Sequence, residues 1–417
     1  MRTLDIKINS HHVATLCDDA GVWSLEYSPE WIANADAYDL SPSLPRSKGT
    51  LVDGSSLRPV QWFFDNLLPE EQARSLLASD AKIEFADAFG LLGYYGAESA
   101  GAITLLPAAQ HLQASGLQPL TNAQLSERIR NLPRIALTTG APKRMSLAGA
   151  QHKLAIVVEG EALFEPMGNT PSTHILKPDH PQRDLYDATV VNEWFVMNLA
   201  RSVGLEVPDV SIRRVPEAAY LIERFDRSPM NDQLERLHVL DACQLLTLDK
   251  SFKYQQATTE TLQAILGLVR NVAQTRMQLF RWLVFNILVG NNDAHLKNLS
   301  FFARPDAYHL APHYDLLCTA VYGESAAPWL EAELVWKPEG IRTHDEVTRA
   351  SVLSLGEAIG VRAPLGNRII DELVPGVEDA AKALLEQHTQ TWNAGECRLV
   401  RRIVHGVIRD MSDKLRH

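Results

Sequence analysis

The chain has little that would mark a secreted, membrane-bound or disulfide-held protein. Four cysteines in 417 residues (Cys17, Cys243, Cys318, Cys397) are scattered, with neither the spacing of a metal site nor that of a redox pair. Such usage suits a reduced, cytoplasmic protein. No apolar run reaches membrane-spanning length, so no membrane association is expected. The first residues, Met1-Arg2-Thr3-Leu4-Asp5-Ile6-Lys7-Ile8, alternate like a strand and lack the unbroken apolar core of a signal peptide. Positive charge is short as well: 40 Lys and Arg against 51 Asp and Glu give a formal charge of −11. A field of that sign does not favour non-specific nucleic-acid binding, so DNA contact is expected only through a partner. The lack of internal repeats, low-complexity tracts and heptads excludes solenoids and coiled coils.

What is present is an ordinary globular composition, 46% hydrophobic and 22% charged, in a chain long enough for two or three cores. Three parts are expected. Residues 1–100 read as a small mixed unit, with alternating Leu4, Ile6 and Ile8, a strand at 22–27, and a helix started by Pro69 with acids in its first turn. Residues 101–226 carry strands at 102–107, 153–160, 173–178, 207–212 and 219–225, with one helix at 192–203 between them. That is the order of a kinase amino-terminal lobe. Residues 227–417 read as mostly helical, at 240–246, 259–270, 279–289 and 398–408. The class is therefore α+β: a sheet-rich lobe with an added amino-terminal subdomain, and a helical carboxy-terminal lobe.

The chemistry concentrates after the apolar segment 279–289. Gly290 suits a helix C-cap, and Asp293-Ala294-His295-Leu296-Lys297-Asn298 follows, with Asp315 seventeen residues further on. Asp293 and Asn298 are five apart, the spacing of the protein-kinase catalytic loop, where an Asp receives the acceptor hydroxyl and an Asn and a later Asp hold magnesium. Short strands at 299–302 and 308–311 predict a hairpin that returns Asp315 to Asn298. His295 stands where many kinases place a lysine facing the γ-phosphate. Lys177, ending an alternating strand, suits a point charge for ATP phosphates, and Glu193 at the start of the next helix suits its ion-pair partner, or a simple first-turn acid. Ser146-Leu147-Ala148-Gly149-Ala150-Gln151 is a loop of small residues whose N–H groups can approach phosphate, although it matches neither the Walker nor the usual kinase glycine pattern. Glu223-Arg224-Phe225-Asp226 at the lobe junction suits adenine, its backbone reading the base edge and Phe225 covering the ring. Two other readings use the same residues: a metal-dependent hydrolase built on Asp293, His295, His313 and Asp315, or a catalytically silent regulator that binds a partner.

Taken together, these segments resemble the HipA family, the serine/threonine kinase toxins of bacterial HipBA toxin–antitoxin modules. The likeness runs through Leu40-Ser41-Pro42-Ser43-Leu44-Pro45, Phe63-Phe64-Asp65-Asn66-Leu67-Leu68-Pro69, Gly101 to Pro107, Ser146 to Lys153, Thr173 to Lys177, Asn192-Glu193, Glu223 to Arg227, Asp293 to Asn298 and Tyr314-Asp315. It implies a two-lobed kinase-like fold and ATP with Mg²⁺ as cofactors. Asp293 and His295 become catalytic; Ala148, Gly149, Ala150, Gln151, Lys153, Lys177, Glu223, Phe225, Asp226 and His295 meet the nucleotide; Asn298 and Asp315 hold the metal. The resemblance further implies autophosphorylation at Ser146 and transfer to a translation protein such as an aminoacyl-tRNA synthetase. Restraint by a DNA-binding HipB-type antitoxin is the partner it implies. His152, where an acid is common in the family, and the segment 331–338 depart from the pattern.

Overall fold

The computed structural model describes residues 1–108, 114–230 and 233–417. The chain divides into two compact units, and neither is a contiguous piece of sequence. One comprises Met1–Pro178, Arg213–Phe252 and Ser300–Ala311; the other comprises Asp179–Ile212, Lys253–Leu299 and Pro312–His417.

The first unit is rich in sheet. Arg2–Ile8 forms a strand because its alternate residues Leu4, Ile6 and Ile8 can all enter the core. It lies between His11–Asp19 and Ile103–Pro107, and the sheet continues through Val22–Tyr27 to Thr50–Val52, antiparallel throughout. Ala20 and Gly21 make the turn between the second and third strands with φ of 52° and 88°. The helix expected to start at Pro69 begins at Glu71. Pro69 instead forms a bridge to Gly149, and the Glu70 N–H donates to the Gly149 carbonyl, which takes both residues out of the helix.

A second sheet places Gly116–Pro119, Ala162–Met167, Leu154–Glu159, His174–Pro178 and Ala218–Glu223 side by side in that order. Its core face carries Leu154, Ile156, Leu176, Ala219 and Leu221, packed on Leu125 and Ile129 of the helix Asn122–Arg130. The helix expected at 240–246 proves to be a strand, Val239–Asp241, followed by a helix, Ala242–Leu246. Asp241 accepts from the Gln244 N–H, so the helix can start only after it, and the residues before pair with Ser300–Ala303. The hairpin of Ser300–Ala303 with Tyr308–Leu310 is formed as expected.

The second unit is helical. Val272–Leu288 starts well before the apolar segment that announces it, because its first turns are half-solvated and carry Gln274, Arg276 and Gln278. Thr189–Ser202 begins three residues early, its N-terminal Val190 N–H received by Asp179. Ala363–His388 packs against both, and Ala394–Arg402, a π-helical stretch Ile403–Ile408 and Arg409–Arg416 complete the core. No helix among the described residues is long and apolar enough to cross a membrane.

Candidate active site

In the second unit a ladder of polar side chains turns the end of the long helix into a rigid loop. Asn286, buried in the last turn, donates from Nδ2 to the Trp282 carbonyl, and its Oδ1 accepts from Asn291 Nδ2 at 2.7 Å. Asn291 Oδ1 then accepts the Asp293 N–H at 3.1 Å, while Thr319 Oγ1 accepts the Asn292 N–H at 2.7 Å. Asn298 closes the loop by donating from Nδ2 to the Asp293 carbonyl at 2.8 Å. Trp336 Nε1–H donates to the Ala294 carbonyl at 2.7 Å, so the segment that departed from the expected pattern supports the loop from below. Asp293, His295 and Asn298 thus share one short, heavily braced turn.

Asp315 is tied to the same turn. The Tyr314 hydroxyl donates to the Lys297 carbonyl at 2.8 Å, joining the residues next to Asn298 and Asp315. Asp315 has a φ of 57°, an uncommon conformation for a residue with a Cβ, and Asp tolerates it better than most. Past it, Cys318 exchanges both backbone bonds with the buried Asn192 side chain, at 2.8 and 2.9 Å, beside Glu193. The donor set fits magnesium: an amide oxygen and a carboxylate are hard oxygen ligands. Because the Asn298 nitrogen is committed to Asp293, the oxygen is the end left to meet a cation.

The hydrolase cluster is not assembled. Among the described residues no three His, Cys, Asp or Glu side chains group as a metal site. His313 is buried and stacks on Trp282 at 5.9 Å between ring centroids, and burial pushes its pKa down to about 4.

The first unit holds the other expected residues. Lys177 is buried on His174–Pro178, opposite Tyr220 in the register, with its ammonium 5.6 Å from that ring. The loop from Ser146 is clamped. The Ser146 N–H donates to the Glu98 carbonyl at 2.8 Å, and its hydroxyl donates to the Leu67 carbonyl at 3.0 Å. Gly149 has a φ of 106°, and a Cβ there would meet Lys153 Nζ at 2.7 Å. Lys153 folds back over the loop and donates to the Ala148 carbonyl at 2.8 Å, which puts a cation against this backbone.

Glu223 ends its strand, and Phe225 meets Phe302 edge to face at 6.0 Å. Asp226 lies in a buried ion network that sequence reasoning missed. Arg224 grips it through two nitrogens at 2.9 and 2.6 Å, and the Gly101 N–H donates to it at 2.7 Å. Glu98, fully buried, is the second carboxylate, within salt-bridge distance of Lys143, Arg224, Arg227 and Arg236. Burial opposes the Glu98 charge, but Lys143 and the three arginines outweigh it and hold the carboxyl well below its usual range. The excess positive charge is met by carbonyls, including Thr170, Ser99, Ser172, Gly101 and Asn169. Nothing in Gly96-Ala97-Glu98-Ser99 marks Glu98 as buried.

The chain matches two family models, the HipA N-terminal domain over residues 4–106 and the HipA-like C-terminal domain over residues 145–381. It is 33% identical over 382 residues to the candidate kinase Y4mE of Sinorhizobium fredii, covering 88% of each chain. It is 29% identical to the serine/threonine-protein kinase toxin HipA of Shewanella oneidensis, over 77% of this chain and 76% of that one. The fold superposes on HipA in a Shewanella oneidensis complex of HipA, HipB and operator DNA with a TM-score of 0.82, at 24% identity and 99% coverage of both chains.

Proposed function

The chain belongs to the HipA family, and from that premise we propose that it is an ATP-dependent serine/threonine protein kinase acting as the toxin of a toxin–antitoxin pair. The observation that carries this reading is the braced turn from Asp293 to Asn298 with Asp315 tied to it through Tyr314 and Lys297. Asp293 orients the acceptor hydroxyl and takes its proton late in the transfer, and His295 hydrogen-bonds near the γ-phosphate. Asn298 and Asp315 hold Mg²⁺, which when bound supplies charge neutralisation at the phosphates. Lys177 and Lys153, with the backbone of Ala148, Gly149, Ala150 and Gln151, bind phosphate oxygens, and residues Glu223 to Asp226 meet the adenine. Positioning and charge do most of the work, since phosphoryl transfer asks for little covalent participation by the protein.

The acceptor is a protein of translation, of the aminoacyl-tRNA synthetase class. A HipB-type antitoxin restrains the chain and is its route to DNA, and the site of action is the cytoplasm. Ser146 is the residue that autophosphorylates. It is 1% exposed with its hydroxyl on the Leu67 carbonyl, so a phosphate dianion there would face a carbonyl oxygen and drive the loop out. The test is transfer of label from γ-labelled ATP by the purified chain in a cell extract. Asp293→Gln and Asp315→Asn are each expected to lower transfer by about 10²–10⁴-fold with an unchanged thermal midpoint. Transfer at the unsubstituted rate in either variant would reject the assignment.

A further inference from the structure

We infer that Tyr254 is a stand-in acceptor: its phenol occupies the hydrogen-bonding position on Asp293 that a substrate hydroxyl takes, and so keeps water from being phosphorylated when no protein acceptor is bound. This rests on the kinase reading of Asp293. The Tyr254 hydroxyl donates to Asp293 Oδ1, the oxygen that lies 4.0 Å from His295 Nε2. The phenol ring meets the His295 ring edge-on, with centroids 5.0 Å apart and planes at 77°. The backbone holds it there, because the Leu296 N–H donates to the Lys253 carbonyl at 3.2 Å and ties the Lys253-Tyr254 segment to the catalytic turn.

Burial does not explain the contact. Tyr254 is 47% exposed, and its hydroxyl could be hydrated instead. What the arrangement offers is a hydroxyl on the base. A phenol hydroxyl donates to a carboxylate as a serine hydroxyl would. Its ring packs edge-on against His295, which aims the hydroxyl at the base. An incoming serine displaces it by donating to the same oxygen. Water, with no other binding energy to spend, displaces it poorly.

The reaction suppressed is hydrolysis. A water oxygen would bond to the γ-phosphorus, the bridging P–O bond would break with its electron pair leaving on ADP, and the water proton would pass to Asp293. Tyr254→Phe keeps the ring and removes the hydroxyl. Measured as phosphate released from ATP and Mg²⁺ without protein acceptor, in a Ser146→Ala background, its turnover is expected to rise about three- to tenfold, the worth of one exposed charge-assisted hydrogen bond. The KM for ATP should not move, since the phenol touches the base and not the nucleotide. A merely structural tyrosine would lower turnover when changed. Unchanged or slower hydrolysis, a shifted KM at constant turnover, or label found on Tyr254 itself would each overturn the inference. Asp293→Asn in the Tyr254→Phe background separates the two levels: hydrolysis that ignores Asp293 removes the kinase reading and this inference with it. Asp293-dependent hydrolysis that ignores Tyr254 removes only the inference.

Discussion

At the scale of single residues, the braced turn from Asp293 to Asn298 depends on a position with no side chain. Gly290 follows the helix at a φ of 64°, and an added Cβ would lie 2.8 Å from Val407 Cγ1 and 3.3 Å from Ala320 Cβ. Its carbonyl accepts the Ala320 N–H at 2.9 Å, so any shift passes to the segment that carries Asp315 and Thr319. Gly290→Ala therefore meets two penalties, a left-handed backbone and a clash against packed side chains, together about 2–4 kcal/mol. Gly340 separates them, because it has a φ of 76° with nothing within 4 Å. Gly340→Ala should cost only the backbone part, about 1–2 kcal/mol. Chemical unfolding of both variants checks the difference; equal losses would mean that the Val407 contact relaxes freely. Gly290 was legible as a cap from its place after an apolar run. The contact with Val407 was not, because it joins positions more than a hundred residues apart.

At the scale of elements, local patterns announced most strands and helices of the first unit, since each is a run with its own period. The patterns failed where another segment competes for the same backbone. Val239–Asp241 looks helical by spacing but is claimed by Ser300–Ala303, and Pro69 looks like a helix start but is claimed by Gly149. The turn that holds Asp293 and Asn298, with Asp315 tied to it through Tyr314, was legible as a polar cluster after an apolar run. Its braces, Asn286, Asn291, Thr319 and Trp336, were not, because a buried amide inside an apolar helix carries no sign of its partner. Glu98 is the extreme case, a lone loop acid that ties the segments at 143, 172 and 224–236 together. Glu98→Gln leaves four buried cations facing one carboxylate, and about 3–5 kcal/mol of stability should be lost at pH 7. The sign of its pH dependence follows from the depressed folded value. The Glu98 contribution is complete above the ordinary glutamate value of 4.5 and is lost as the pH falls below it toward the folded value. The gap between the original chain and Glu98→Gln should therefore be widest near neutral pH and narrow in acid. Urea unfolding at pH 7 and pH 4 measures it, and a gap that widens in acid would contradict the network's charge state.

At the scale of the whole molecule, each unit buries a histidine that is held neutral, His238 in the first and His313 in the second, and these two should make the chain acid-labile before its carboxylates titrate. In the first unit His238 donates through Nε2 to the Leu40 carbonyl at 2.9 Å and stacks on Tyr38 at 5.6 Å. In the second, His313 lies against Trp282. Burial lowers both from 6.5 to about 4. With folded values depressed, the unfolded chain binds more protons between those limits, so stability is intact above 6.5 and declines as the pH drops toward 4. Each site should remove on the order of 2 kcal/mol between pH 7 and pH 5. A double substitution, His238→Gln with His313→Phe, keeps a donor at Leu40 and an aromatic face on Trp282. It is expected to be no more stable than the original chain at pH 7, yet to lose much less of its thermal midpoint on acidification to pH 5. If both proteins lose the same amount, the two imidazoles are not the groups that take up the protons, and the neutral state assigned to them here is wrong.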